Sequence, residues 1–135
     1  MSWRESLIKI ANHEVDTLQK RLGEIVARRE GVQMRLLMLE AQAEAEIAHA
    51  SAHADLGFSR AGYLVGVKHR REMMQAEIDI IAQEEAGARD ALAVAFESQK
   101  KFEHVADLAR LTRKKEAAQR ETAELDEMGL RAARR

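Results

Sequence analysis

The 135 residues include 33% charged and 4% aromatic side chains, with neither proline nor cysteine. Such a chain can bury a long narrow seam but has little bulk for a catalytic cavity, and without cysteine it has no disulfide or thiolate chemistry. A formal net charge of -1 offers nucleic acid no overall attraction, and no apolar run approaches the roughly 20 residues that span a bilayer.

The opening Met1-Ser2-Trp3-Arg4-Glu5 reaches charge at once and lacks the apolar core of a signal peptide, so the expected compartment is the cytoplasm. The Ser2 hydroxyl can cap a first helix, with Glu5 three residues later completing a capping box. From Ile8 to His53 the chain then carries an unbroken heptad pattern. The a positions are Ile8, Val15, Leu22, Arg29, Leu36, Ala43 and Ala50; the d positions are Ala11, Leu18, Ile25, Val32, Leu39, Glu46 and His53. Eleven of these 14 are apolar, against 11 of the other 32 residues in the stretch. An apolar repeat of 3.5 on a helix of 3.6 residues per turn makes two helices supercoil to keep the seam in contact.

Helix one is expected over residues 2–56, because Gly57 can turn left-handed after a helix. A tip at 57–59 follows, with Ser59 as the next N-cap and helix two over 60–130. Gly62 and Gly66 fall in its opening turns, each costing on the order of 1 kcal/mol against alanine.

A second heptad runs through Met74, Ile78, Ile81, Glu85, Ala88, Leu92, Ala95, Gln99, Phe102, Ala106 and Ala109, nine of 11 apolar. Continued through Arg113, Glu116, Arg120, Ala123, Glu127 and Leu130 it gives two of six, so this seam dissolves after Ala109. A short turn between long helices implies an antiparallel pair. Ile8 is then set against a partner near residues 110 to 115, and helix two continues unpaired to about Leu130. At about 1.5 Å per residue the arms come to roughly 80 and 105 Å. The fold expected is all-α: a single antiparallel two-stranded coiled-coil hairpin of two long helices. Its alanine-rich seam positions suit two helices in close approach better than a thick bundle; a parallel homodimer and a four-helix bundle are the alternatives.

No constellation in the chain points to catalysis. His49 and His53 share a face with Glu46, but no cysteine or third histidine lies nearby in sequence, so a solvated patch is the better reading. His13-Glu14 is not part of a zinc HExxH motif, and the tip glycines lack the spacing of a phosphate loop. Carboxylates on an exposed rod have nothing to shift their pKa or exclude water. The expectation is therefore a non-enzyme without cofactor or metal.

Charge is blocked along helix two. Basic Lys100, Lys101, Arg110, Arg113, Lys114, Lys115 and Arg120 outnumber Glu103, Asp107 and Glu116. Acidic Glu121, Glu124, Asp126 and Glu127 follow, then Arg131, Arg134 and Arg135. Such blocks fit a solvated face or electrostatic docking of the termini end. Off the seam of helix one, Met34, Leu37, Met38, Ala41, Ala45 and Ala48 face away from the partner helix; the alanines read as helix formers, and Met34, Leu37 and Met38 as either a protein contact or incidental exposure. Phe58 and Tyr63, near the tip, raise the same reading.

Two stretches resemble a particular family. His13-Glu14-Val15-Asp16 followed by Leu22-Gly23-Glu24 is similar to the N-terminal segment of the flagellar export protein FliJ family. Thr122-Ala123-Glu124-Leu125-Asp126-Glu127, running on to Arg131-Ala132-Ala133-Arg134, is similar to its C-terminal pattern. The resemblance implies a stalk-like component of the flagellar type III export apparatus. Implied partners are the hexameric export ATPase, the transmembrane export gate protein and export chaperones. Nucleic acid is not among them, and the protein would be peripheral at the inner face of the membrane through those partners only. For the ATPase the resemblance and the charge blocks single out Glu14, Asp16, Glu24, Arg113, Lys114, Asp126 and Glu127. Antiparallel folding is expected to bring the first three to the same end as Arg110, Arg113 and Lys114. The family's gate-binding positions fall on Tyr63 and Val67, then on Arg70 and Met74, where the family pattern has alanine and histidine. Tyr63 and Val67 are one turn apart on a face expected to be free of packing. Within the same reading, a virulence secretion stalk, a structural adaptor and a secretion chaperone remain as alternatives.

Overall fold

The computed structural model describes residues 2–52 and 60–134. Two helices account for nearly all of them: α1, Trp3–Ala52, and α2, Arg60–Ala133. The expected tip at 57–59, with Gly57, Phe58 and the Ser59 cap, lies outside the described residues, as does His53. No proline interrupts either helix, and the start of α1 is held as the sequence implies. The Ser2 amide donates to Glu5 Oε2 (3.2 Å) and the Glu5 amide donates to Ser2 Oγ (3.3 Å), a reciprocal capping box. At its other end α2 runs three residues beyond the expected Leu130.

Packing divides into two units, Thr17–Leu92 and Met1–Asp16 with Ala93–Arg135. Within the first, Ile25 and Val32 of α1 bury with Ile78 and Ile81 of α2, and Leu36, Met74 and Ala88 close around them. Each such side chain contributes roughly 1.5–3 kcal/mol when fully buried. The helices are antiparallel: Arg28 meets Glu84 (3.1 Å), Arg35 meets Glu77 (3.7 Å), and Glu40 meets Arg71 (3.5 Å). These pairs are exposed and stabilise little individually, but they report the register. In the other unit Ala11, Val15 and Ala95 are buried, and Gln99 Nε2 donates to Asn12 Oδ1 at 2.6 Å.

All 11 positions of the second heptad are buried or half-buried, as are all those of the first from Ile8 to Ala43 and Ala50. Three expectations need correction. Glu46 is exposed and Ile47 takes its place, so the seam steps 39, 43, 47, 50. That 4-4-3 spacing is an 11-residue step, which lets the helix follow its own 3.6-residue period and keeps a carboxylate out of the seam. Ile8 does not face residues 110 to 115. With Asn12 against Gln99, one turn back from Asn12 corresponds to about residue 103, and the groove that Ile8 lines runs from Glu103 through Ala106 and Asp107 to Arg110 and Arg113. Finally, the α2 seam begins before Met74: Val67 is buried and Tyr63 half-buried. Exposed Arg70 and Arg71 between them hide the pattern in the sequence.

Candidate functional site

Early α2 is built differently from the free face that the sequence suggests. Val67 is 2% exposed, so its side chain belongs to the seam, and Met74 packs against the Ile25–Ile81 cluster. Tyr63 is half-buried. The chain instead exposes Val65, Met73 and Ile80 on this stretch. Arg70, Met73, Met74 and Ile80 line a shallow groove whose α1 side carries Arg28 and Arg35. Glu77 lines it too, and Arg28 and Arg35 pair with Glu84 and Glu77, so the apolar floor is what the groove offers a partner helix. The signal missed in the sequence was the spacing of Met73 and Ile80, one heptad apart and each directly beside a seam residue.

In the unit holding both termini, Ser2, Arg4, Glu5, Ile8, Glu103, Asp107, Arg110 and Arg113 line one groove. The Arg4 guanidinium stacks over the Trp3 ring, 4.7 Å from its centroid, and its Nε is buried without a hydrogen-bond partner. Asp107 and Arg110 pair with each other. Glu14 and Asp16 fall in the same unit as Arg113 and Lys114 but not at the same level of the helix pair. Glu14 lies one half-turn past Asn12 and so opposite about residue 97, which leaves Arg113 roughly 24 Å further along the axis. Glu5 is the α1 carboxylate that shares the groove with Arg110 and Arg113. Glu24 lies in the other unit, exposed.

Beyond that groove α2 has no partner helix among the described residues. Every residue from 110 to 134 is exposed, including Leu111, Leu125, Met128 and Leu130 at 59–67%. Asp126 and Glu127 are here, Glu127 accepting from Arg131 Nη2 at 3.0 Å. Lys115, Ala118, Gln119, Thr122, Ala123 and Asp126 outline a shallow strip along the same helix. Leu111, Ala118 and Leu125 recur every seven residues, the spacing of one side of a helix that packs on another. Among the described residues no group of three or more metal-ligating side chains gathers, and no helix is long and apolar enough to cross a membrane.

Comparison with known proteins bears on these surfaces. No family model matches the chain, and no solved structure matches it. The flagellar FliJ protein of Caulobacter vibrioides does match, in strain NA1000 / CB15N and in strain ATCC 19089 / CIP 103742 / CB 15. Each is 49% identical over 131 residues, covering 97% of this chain and 94% of the relative.

Proposed function

We infer from membership of the flagellar FliJ family, to which this chain belongs, that it is a non-enzymatic, stalk-like part of the export apparatus. In this reading the unpaired end of α2 engages the export ATPase ring, while early α2 faces the transmembrane gate protein and export chaperones. The protein is then cytoplasmic and reaches the inner face of the membrane only through those partners.

One observation carries the ATPase assignment. Residues 110–133 of α2 are all exposed, and past the groove that Arg110 and Arg113 line they pack on no other helix among the described residues, yet the stretch exposes four large apolar side chains. Isolated helical stretches are marginal in water and owe most of their stability to a packed face. A partner surface would supply that face, with the acidic block at Glu121–Glu127 and the flanking basic residues setting its orientation. For the gate, buried Val67 is withdrawn as a contact. Arg70 and Met73 take its place beside half-buried Met74, where the groove is open.

The assignment is tested by binding of the purified export ATPase to the full chain and to a chain ending at Arg120. Loss of residues 121–135 is expected to weaken binding more than tenfold, about 1.4 kcal/mol, with the helicity of the remaining chain unchanged. Equal binding by the two chains would remove the assignment.

A further inference from the structure

The seam with α2 uses only one side of α1. On the opposite side, Gly31, Met34, Met38, Ala41, Ala45 and Ala48 follow one another at alternating spacings of three and four residues. Ala27 and Ala52 extend the same spacing at either end, and all eight positions are exposed. This is a second heptad seam, turned away from the first. Alanine alone would mean only helix propensity, but Met34, Leu37 and Met38 are 58–60% exposed at its centre. Two thioethers and a leucine left in water within five residues, little more than one turn, mark a contact surface.

The edges of this second seam identify the occupant. One edge carries Arg28, Arg35, Gln42 and His49, the two arginines also reaching Glu84 and Glu77 of α2 in their own chain, and the other Glu30, Leu37 and Glu44. Antiparallel pairing of this face with its own copy would set basic edge against basic edge. Parallel, in-register pairing does the reverse: each residue just before the seam lies beside the one five further along in the other helix. Glu30 then meets Arg35 of the second copy, Leu37 meets Gln42, and Glu44 meets His49. Two-fold symmetry doubles each contact.

We propose that the outer face of α1, residues 27–52, pairs with the same face of a second copy of this chain, parallel and in register. The α1–α2 seam is retained in each copy, because the two seams lie on opposite sides of α1. The alanines and Gly31 allow close approach, and Met34 and Met38 fill the centre.

The chain has no cysteine, so the arrangement is readable by cross-linking. A two-fold axis along the seam brings each seam residue to its own copy, within disulfide reach. Ala41→Cys is expected to oxidise to a covalent dimer, whereas Ala86→Cys, exposed on α2, is not. Sedimentation equilibrium of the unmodified chain is expected to move from one-chain to two-chain mass between micromolar and millimolar concentration. Met38→Glu should hold it at one chain with helicity unchanged. Glu30→Arg should weaken the dimer more than tenfold, and adding Arg35→Glu should restore it. A one-chain mass throughout the range overturns the proposal, including the case where a helix of another protein covers this face. A dimer in which Ala41→Cys cross-links no faster than Ala86→Cys overturns the parallel register.

Discussion

Arg29 and Glu85 form a two-pronged ion pair inside the α1–α2 seam: Arg29 Nε donates to Glu85 Oε2 at 2.9 Å and Nη2 to Oε1 at 3.2 Å. Glu85 is 6% exposed, so its charge is affordable only because the fork geometry of the guanidinium satisfies both oxygens. Arg89, one turn on, adds a second cation to Oε1 at 3.1 Å. Breaking such a pair leaves an uncompensated charge, whereas replacing both partners by apolar groups often costs nothing. Glu85→Leu alone is expected to lower the melting temperature. Arg29→Leu with Glu85→Leu should recover the wild-type value or exceed it. A double variant no more stable than the single one would show that the pair does not act as a unit.

The same pair sets a pH dependence. Hydrogen bonds from Arg29 are the main cause holding the Glu85 carboxyl below its ordinary value of 4.5; desolvation opposes them and the positive charges of Arg29 and Arg89 reinforce them. A carboxylate depressed in the folded state stabilises the protein above its unfolded pKa and loses that contribution as pH falls through the folded value. Thermal melts should therefore fall off below pH 4.5, and Glu85→Gln should flatten that part of the profile. An identical acid limb in wild type and variant would refute the linkage. The Arg29 guanidinium is pushed further up by its hydrogen bond to Glu85, so it stays charged across the range of the melts.

Val67 and Val65 separate core from surface on early α2. Val67→Ala removes two buried carbons and is expected to cost about 2 kcal/mol, transfer and cavity terms together. Val65, 69% exposed, should tolerate alanine within about 0.5 kcal/mol. Chemical denaturation of the two variants checks this, and equal stability would return Val67 to the free face that the sequence suggested.

Amide exchange should divide α2 in two. Residues 74–109 pair with α1 through their seams and should be protected, whereas residues 112–134 have no packed face and should exchange faster. Equal protection along the whole helix would mean that the end of α2 is covered in solution.

Much of the fold was legible because heptad spacing is a strong signal over 46 residues. The capping box at Ser2 and the fading of the seam after Ala109 were equally readable. Arg29 and Glu85 each counted there as a breach of its apolar pattern; only the antiparallel register shows that the two breaches meet. Register itself was misplaced by about two turns at Ile8, since a turn position read from glycines does not fix which residues stand opposite. Val67 was missed because Arg70 and Arg71 interrupt its heptad. The partner surfaces were less legible still. Exposure of Leu111, Leu125, Met128 and Leu130 depends on where α1 begins and on the pairing register, which no local pattern in α2 reveals.

The most direct test of the export role is secretion by a strain lacking this protein and supplied with either wild type or Leu111→Glu/Leu125→Glu/Met128→Glu. These three positions are exposed on the unpaired end of α2, so the triple variant keeps both seams. Wild type is expected to restore secretion of flagellar subunits into the medium, and the variant, present at equal level and equally helical, is expected to fail. Secretion restored to the wild-type level by the variant would contradict the account.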